Sequence, residues 1–412
     1  MDAFDAAAIL IVLAAALGYL NHRVIGLPHT IGLVIMGAVA SLAMVGADAV
    51  FPGAGMGASV RGFLGEIDFH DALMNGMLSF LLFAGALHVD LDALMRRRWT
   101  ILALATVGVL TSTAIIGTVF QWLAAAAGFE IPFLWCLVFG ALISPTDPVA
   151  VMSVLKSVKV PPTLEAKIAG ESLFNDGVGI VLFSILVAAA AGGGDFSVGH
   201  AAELFVVEAV GGIVLGLAAG WIAYRAMKSI DEHNLEVLIT LALVMGGYAL
   251  AQALHVSGPV AMAVAGLLIG NHGARFAMSD QTRDHVTRFW ELVDEILNSV
   301  LFLLIGLEVV AIAKDAMHLG VGLAAIVLVL AARAISVAVP MVALSRWTEF
   351  TRGAFPMLVW GGVRGGISVA LALSLPEGPV KDTILTATYV VVVFSVIVQG
   401  STISRAVRRF VR

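Results

Sequence analysis

The sequence predicts an all-α, polytopic membrane protein with 13 transmembrane helices. Three observations carry this: the composition, the spacing of the apolar blocks, and the placement of the basic residues. Of 412 residues, 60% are hydrophobic and only 13% are charged. Mean hydropathy is +1.00. A soluble domain carries about a quarter charged residues. No soluble core could hide this much apolar surface, so lipid must be the solvent. The apolar residues come in blocks of about 20, the length that crosses the hydrocarbon layer.

The blocks lie near residues 4–20, 30–46, 70–88, 100–127, 132–155, 166–192, 202–226, 235–254, 258–271, 290–312, 319–345, 354–375 and 383–403. The first starts after an acidic stretch, Met1 to Asp5, that lacks the basic region of a signal peptide, so it reads as a retained span. Spans 2 and 9 are short. Asp294 and Glu295 read as opening span 10 from the inner side, where acidic residues suit a helix N-terminus. Glu308, near the outer end of that span, reads as reaching the interface.

Charge placement sets the orientation. With the N-terminus outside, inner loops hold Arg23, Arg96, Arg97, Arg98, Lys156, Lys159, Lys167, Arg225, Lys228, Arg275, Arg283, Arg288, Arg346, Arg352, Arg405, Arg408, Arg409 and Arg412. That is 18 of the 23 Lys and Arg, against Arg61, Lys314 and Lys381 outside. One span missed or invented midway would destroy this asymmetry. The odd number puts the C-terminus in the cytoplasm. It also allows an inverted repeat, with spans 1–6 entering from outside, spans 8–13 from inside and span 7 as linker, as in many secondary transporters. The net charge is -6 and no basic tail suits nucleic acid. The single cysteine, Cys136, excludes an intramolecular disulfide. The chain ends about a dozen residues after its last block. No cytoplasmic regulatory domain is expected.

Ionisable residues deep in a span are costly and mark function. Span 5 carries Ser144-Pro145-Thr146-Asp147-Pro148. Two prolines remove amide donors and free the carbonyls of Ala141 and Ser144. Asp147 precedes a proline, which disfavours helix there. The span should unwind at Thr146-Asp147, and freed carbonyls can coordinate a cation. Span 12 reads Gly361-Gly362-Val363-Arg364-Gly365-Gly366, a second break at the matching place in the other half. Tight packing through small residues would explain the glycines but not Arg364. Span 6 carries Glu171, Ser172, Asn175 and Asp176. Ser172 and Asp176 share one helical stripe, and Glu171 and Asn175 the next. Glu171 needs a cation, and Arg333 in span 11 is the candidate.

These runs, SPTDPVAV, GESLFNDG, an arginine in span 11 and GGVRGG, resemble the NhaP-type bacterial antiporters and eukaryotic sodium–proton exchangers over essentially the whole chain. The resemblance implies that spans 5 and 12 cross and that Asp147 and Asp176 form the cation site. Thr146 and Ser172 would contribute oxygens, and Asn175 would hold the crossing. Glu171 would pair with Arg333. Pro145, Pro148, Gly362, Arg364 and Gly365 would support the breaks. Asn-Asp rather than Asp-Asp marks the electroneutral branch. The family geometry implies an ion-transporting core of spans 4–6 and 11–13 (about 97–193 and 317–404). The dimerisation part would be spans 1–3 and 7–10 (about 4–90 and 200–312), in a homodimer of the inner membrane. Sodium and pH homeostasis follow as roles. Many members have a glutamate in span 3 where this chain has Phe83-Ala84-Gly85-Ala86.

The residues also suggest a mechanism. A hard cation wants oxygen ligands, so Na+, with Li+ or K+ as alternatives, competes with H+ for the two carboxylates. A bare anionic site crosses badly, so the site moves only when loaded. No cofactor, structural metal or catalytic residue is expected. Two rivals are weaker. An intramembrane aspartyl protease would match Gly192-Gly193-Gly194-Asp195, but that run lies at an outer loop and the chain has no Tyr-Asp dipeptide. A cation channel would want a carbonyl-ring filter, and nothing repeats as one.

Overall fold

Hydropathy marks where a helix meets lipid, and the computed structural model shows helices that follow and often exceed those limits. It describes residues 3–50, 77–147, 151–152, 162–192, 197–309, 316–346, 350 and 353–410. Pro148 lies outside them, as do Arg61, Lys156, Lys159, Lys314, Arg352 and Arg412 of the charge assignment.

Segments joined by a π-helical turn share one number. They are α1 (Ala3–Leu20, then Asn21–Ile25), α2 (His29–Val50), α3 (Leu78–Leu87) and α4 (Arg98–Ala103, Leu104–Gly108, Val109–Ala126). Next come α5 (Phe133–Ile143), α6 (Pro162–Gly192), α7 (Val198–Met227), α8 (His233–Ala253) and α9 (Gly258–Leu268, Ile269–Gly273, Ala274–Phe276). The last are α10 (Asp280–Leu307), α11 (Ala316–Leu344), α12 (Ala354–Trp360), α13 (Gly366–Leu373) and α14 (Pro379–Phe394, Ser395–Gln399, Gly400–Phe410). The described residues contain no strand. Seven of the described helices are long and apolar enough to cross a membrane, and shorter apolar helices cover His29–Met44, Leu78–Leu87 and Phe133–Ile143. This is a multi-pass membrane protein. Apolar residues such as Val206, Val210 and Trp221 are exposed along α7.

α10 departs from expectation. It begins at Asp280, capped by Ser279, whose hydroxyl accepts the Thr282 amide. Asp294 and Glu295 therefore sit mid-helix and open nothing. The first turns of α10 are polar and hydropathy passes over them. Glu308 is the second correction: it is buried, at 7% exposure, and does not reach solvent freely.

Two packed clusters form. The smaller gathers Phe83 of α3, Tyr224 of α7, Val244 of α8, Met262 of α9 and Trp290 of α10. The rings of Phe83 and Trp290 meet at a tilt, with centroids 4.7 Å apart. The larger cluster includes residues of α4, α5, α6, α11, α13 and α14 together with the C-terminal part of α10. α2 and α10 approach backbone to backbone at Gly37 and Gly306, and Ser41 donates to the Leu307 carbonyl at 2.6 Å. Cys136 is buried within α5.

Candidate functional site

Two helices stop in mid-protein, and each stop is answered by the other. α5 ends at Ile143, and Ser144 to Asp147 run on without helical structure. α12 ends at Trp360, and helix resumes only at Gly366 of α13. The Asp147 amide donates to the Val363 carbonyl at 2.7 Å, joining the two breaks.

Charge at the crossing is complementary. The Arg364 guanidinium donates through Nη1 to the Ser144 carbonyl and, at 2.9 Å, to the Pro145 carbonyl. A cation thus faces the C-terminal, partly negative end of α5. Gly365, which precedes α13, lies against the Asp147 carboxylate; a Cβ there would collide with it. An anion thus faces the partly positive start of α13. The Ser144 carbonyl, expected to be free for an ion, accepts from Arg364. The Arg364 amide donates to Ser395 Oγ at 2.8 Å, and Ser395 in turn bonds Gln399.

α6 supplies the rest. Asn175 Nδ2 donates to Thr146 Oγ1 at 2.8 Å, and its Oδ1 accepts the Thr146 amide at 3.3 Å. Ser172 Oγ donates to the Thr146 carbonyl at 2.6 Å and lies 2.9 Å from Thr146 Oγ1. The unwound residue is therefore held on three of its polar atoms by α6. Asp176 is buried one turn beyond Ser172, and the charge of Asp147, itself half-buried, acts on it. Pro145 packs its ring where a Cβ on Gly179 would stand, which fixes α5 against α6.

Glu171 points to the other stripe, as its spacing required. Arg333 of α11 meets it with both terminal nitrogens, Nη2 at 2.9 Å from Oε2. Arg333 Nε and Nη2 also donate to the Leu358 carbonyl at 3.2 and 2.9 Å. A Cβ on Gly362 would come 2.6 Å from Arg333 Nε. The glycine thus makes room for the pair. The structure brings together Thr146, Asp147, Ser172, Asn175 and Asp176, with Glu171, Arg333 and Arg364 behind them. Sequence reasoning missed Ser395 and Gln399, two of the polar residues in a mainly apolar span.

Comparison with known proteins agrees over nearly the full length. Residues 10–409 match the profile of the family described as sodium/hydrogen exchanger, transmembrane. The Na(+)/H(+) antiporter NhaP of Pseudomonas aeruginosa is 47% identical over 410 residues, covering 98% of this chain and 96% of the relative. The Na(+)/H(+) antiporter NhaH of Halobacillus dabanensis is 36% identical and covers 83% of each chain. Among solved structures, the sodium proton antiporter MjNhaP1 of Methanocaldococcus jannaschii at pH 8 superposes with a TM-score of 0.76 at 20% identity. That match covers 98% of this chain and 97% of the other.

Proposed function

The chain belongs to the sodium/hydrogen exchanger family, and from that premise we propose that it exchanges one Na+ for one H+ at Asp147 and Asp176 by alternating access. The family is one of transporters, which removes the protease reading. The observation that carries the assignment is the placement of both carboxylates at the junction of two interrupted helices. Irregular backbone at membrane depth is kept where it serves a binding cavity. Ser172 and Asn175 hold Thr146, the residue before Asp147, and the oxygens of all three are the further ligands when an ion is bound. Proton and cation compete for the carboxylates, and only a loaded site crosses. Asn175 carries no proton between states, so exchange is electroneutral.

The architecture in this reading has thirteen spans, with spans 1–6 and 8–13 as inverted repeats. Spans 4–6 and 11–13 move as the ion-carrying core against a dimerisation part of spans 1–3 and 7–10. The protein is a homodimer of the inner membrane, N-terminus outside and C-terminus cytoplasmic. The charge asymmetry of the loops supports the orientation. Li+ and K+ are the alternative cargoes. The test is dequenching of an imposed pH gradient in proteoliposomes as Na+, Li+ or K+ is added in turn. Na+ should collapse the gradient saturably. A gradient that none of the three cations dissipates would remove the reading, and cation flux without proton counter-flow would favour a channel.

A further inference from the structure

Between α11, α14 and the break that follows α12 lies a small cavity of about 10 Å³. That is room for one water-sized atom or ion. Arg333, Arg364 and Gln399 line it, with Leu330, Val391 and Phe394 among its apolar walls, and no acidic side chain faces it. Arg364 is 1% exposed, and its Nη1 is engaged by the carbonyls of Ser144 and Pro145. Its Nε and Nη2 are buried and have no hydrogen-bond partner among the described residues. Those two nitrogens share one edge of the planar guanidinium, so their N–H bonds point the same way and can meet a single acceptor. A buried donor without a partner is costly, and here two sit on one cation. Arg333 has the Glu171 carboxylate beside it, whereas the hydrogen bonds of Arg364 go to neutral carbonyls. The rest of the lining decides what kind of acceptor fits. Gln399 Oε1 accepts from Ser395, and its Nε2 donates to the Trp360 carbonyl at 3.0 Å. A water at the fork would bring two hydrogens to a wall whose side-chain acceptor is already taken. A monatomic anion brings none and asks for donors alone.

We infer that the free edge of Arg364 and this cavity bind one small monatomic anion, chloride in ordinary salt, as a structural partner of the interrupted helices. The anion completes the hydrogen bonding of Arg364 and balances a charge that is costly to bury alone. Arg364 Nη1 holds the end of α5, so an anion on the neighbouring edge of the same guanidinium steadies the crossing of the two breaks. The ion is no cargo, because neither Asp147 nor Asp176 lines the cavity. The site stands apart from the antiport reading and is tested without measuring exchange.

The test uses chloride itself on the full chain. Crystals grown in sodium chloride should show a long-wavelength anomalous peak within hydrogen-bonding reach of Arg364 Nε and Nη2. In detergent, chloride is titrated against gluconate, an anion too large for the cavity, at constant sodium and ionic strength. The melting temperature of the wild type should rise saturably, by about 2 °C or more. Val391→Ile adds one methyl to the cavity wall and should abolish both the peak and the chloride response. Val327→Ile, whose side chain is 69% exposed on α11, is the matched control and should keep both. Density at the fork without anomalous signal, an ordered water only, would overturn the site. So would equal melting of the wild type in the two salts, or a chloride response that Val391→Ile retains in full. The wild-type peak and titration decide the matter even where Val391→Ile does not fold.

Discussion

Asp147 and Val363 share a 2.7 Å backbone hydrogen bond, so the interruption of α5 is closed by the interruption of α12 and α13. Neither break is a loose end. Each supplies the partner that the other lost when its helix stopped, and this is why an aspartate can be held at the apex.

The assignment of the carboxylates is tested by Asp176→Asn, which should reduce exchange to background while the protein inserts and remains folded. Asp147→Asn should do the same. The carbonyls of Ser144 and Pro145 already accept from Arg364. Retained wild-type rates in either well-inserted variant, measured by the pH-gradient assay, would remove that residue from the site.

The Glu171–Arg333 pair tests architecture separately from chemistry. Glu171→Gln leaves Arg333 as a buried cation, and breaking one side of such a pair costs about 3–5 kcal/mol. Detergent-solubilised protein should melt earlier, and neutralising Arg333 as well should recover part of the loss. The pair should show a coupling of about 0.5–3 kcal/mol in a double-mutant cycle. Additive single and double variants would mean that the contact carries no energy of its own.

Gly365→Ala probes the crossing directly. The added methyl meets the Asp147 carboxylate, and overpacking of this kind costs about 1–3 kcal/mol. Exchange should fall sharply, with a raised KM for Na+, because the displaced group is a proposed ligand. Gly320→Ala, where a Cβ meets nothing within 4 Å, is the matched control and should transport normally. Equal behaviour of the two variants would contradict the close approach.

Stoichiometry is read from voltage. One charge crossing the membrane is coupled to potential by about 2.3 kcal/mol per 100 mV. One-for-one exchange should show a reversal point that ignores a potential clamped with potassium and valinomycin. A reversal point that moves with the clamp would require a second proton per cycle.

Much of this was readable before any coordinates. Pro145 announced the break in α5, and four glycines around Arg364 announced the other, because backbone chemistry acts locally. The stripe logic on α6 sent Glu171 one way and Asp176 another, as found. Three-dimensional partners were less legible. Nothing in the chain says that Arg364 reaches the carbonyls of Ser144 and Pro145 rather than Glu171. Hydropathy also reports depth in lipid and not helix length. It therefore started span 10 ten residues late and placed Asp294 at an end that is a middle. Glu308 looks like an interface residue because its sequence neighbourhood ends a span, but in the fold it is buried.

The solitary thiol has a practical consequence. Cys136 is buried inside α5 and its sulfur faces the Ile131 carbonyl at 3.8 Å. Water-borne maleimides and thiosulfonates should find the wild-type chain almost silent. Labels or crosslinkers can then be installed at chosen positions without first stripping the background, and the protein arrives ready for spectroscopic rulers that follow one segment against another during turnover.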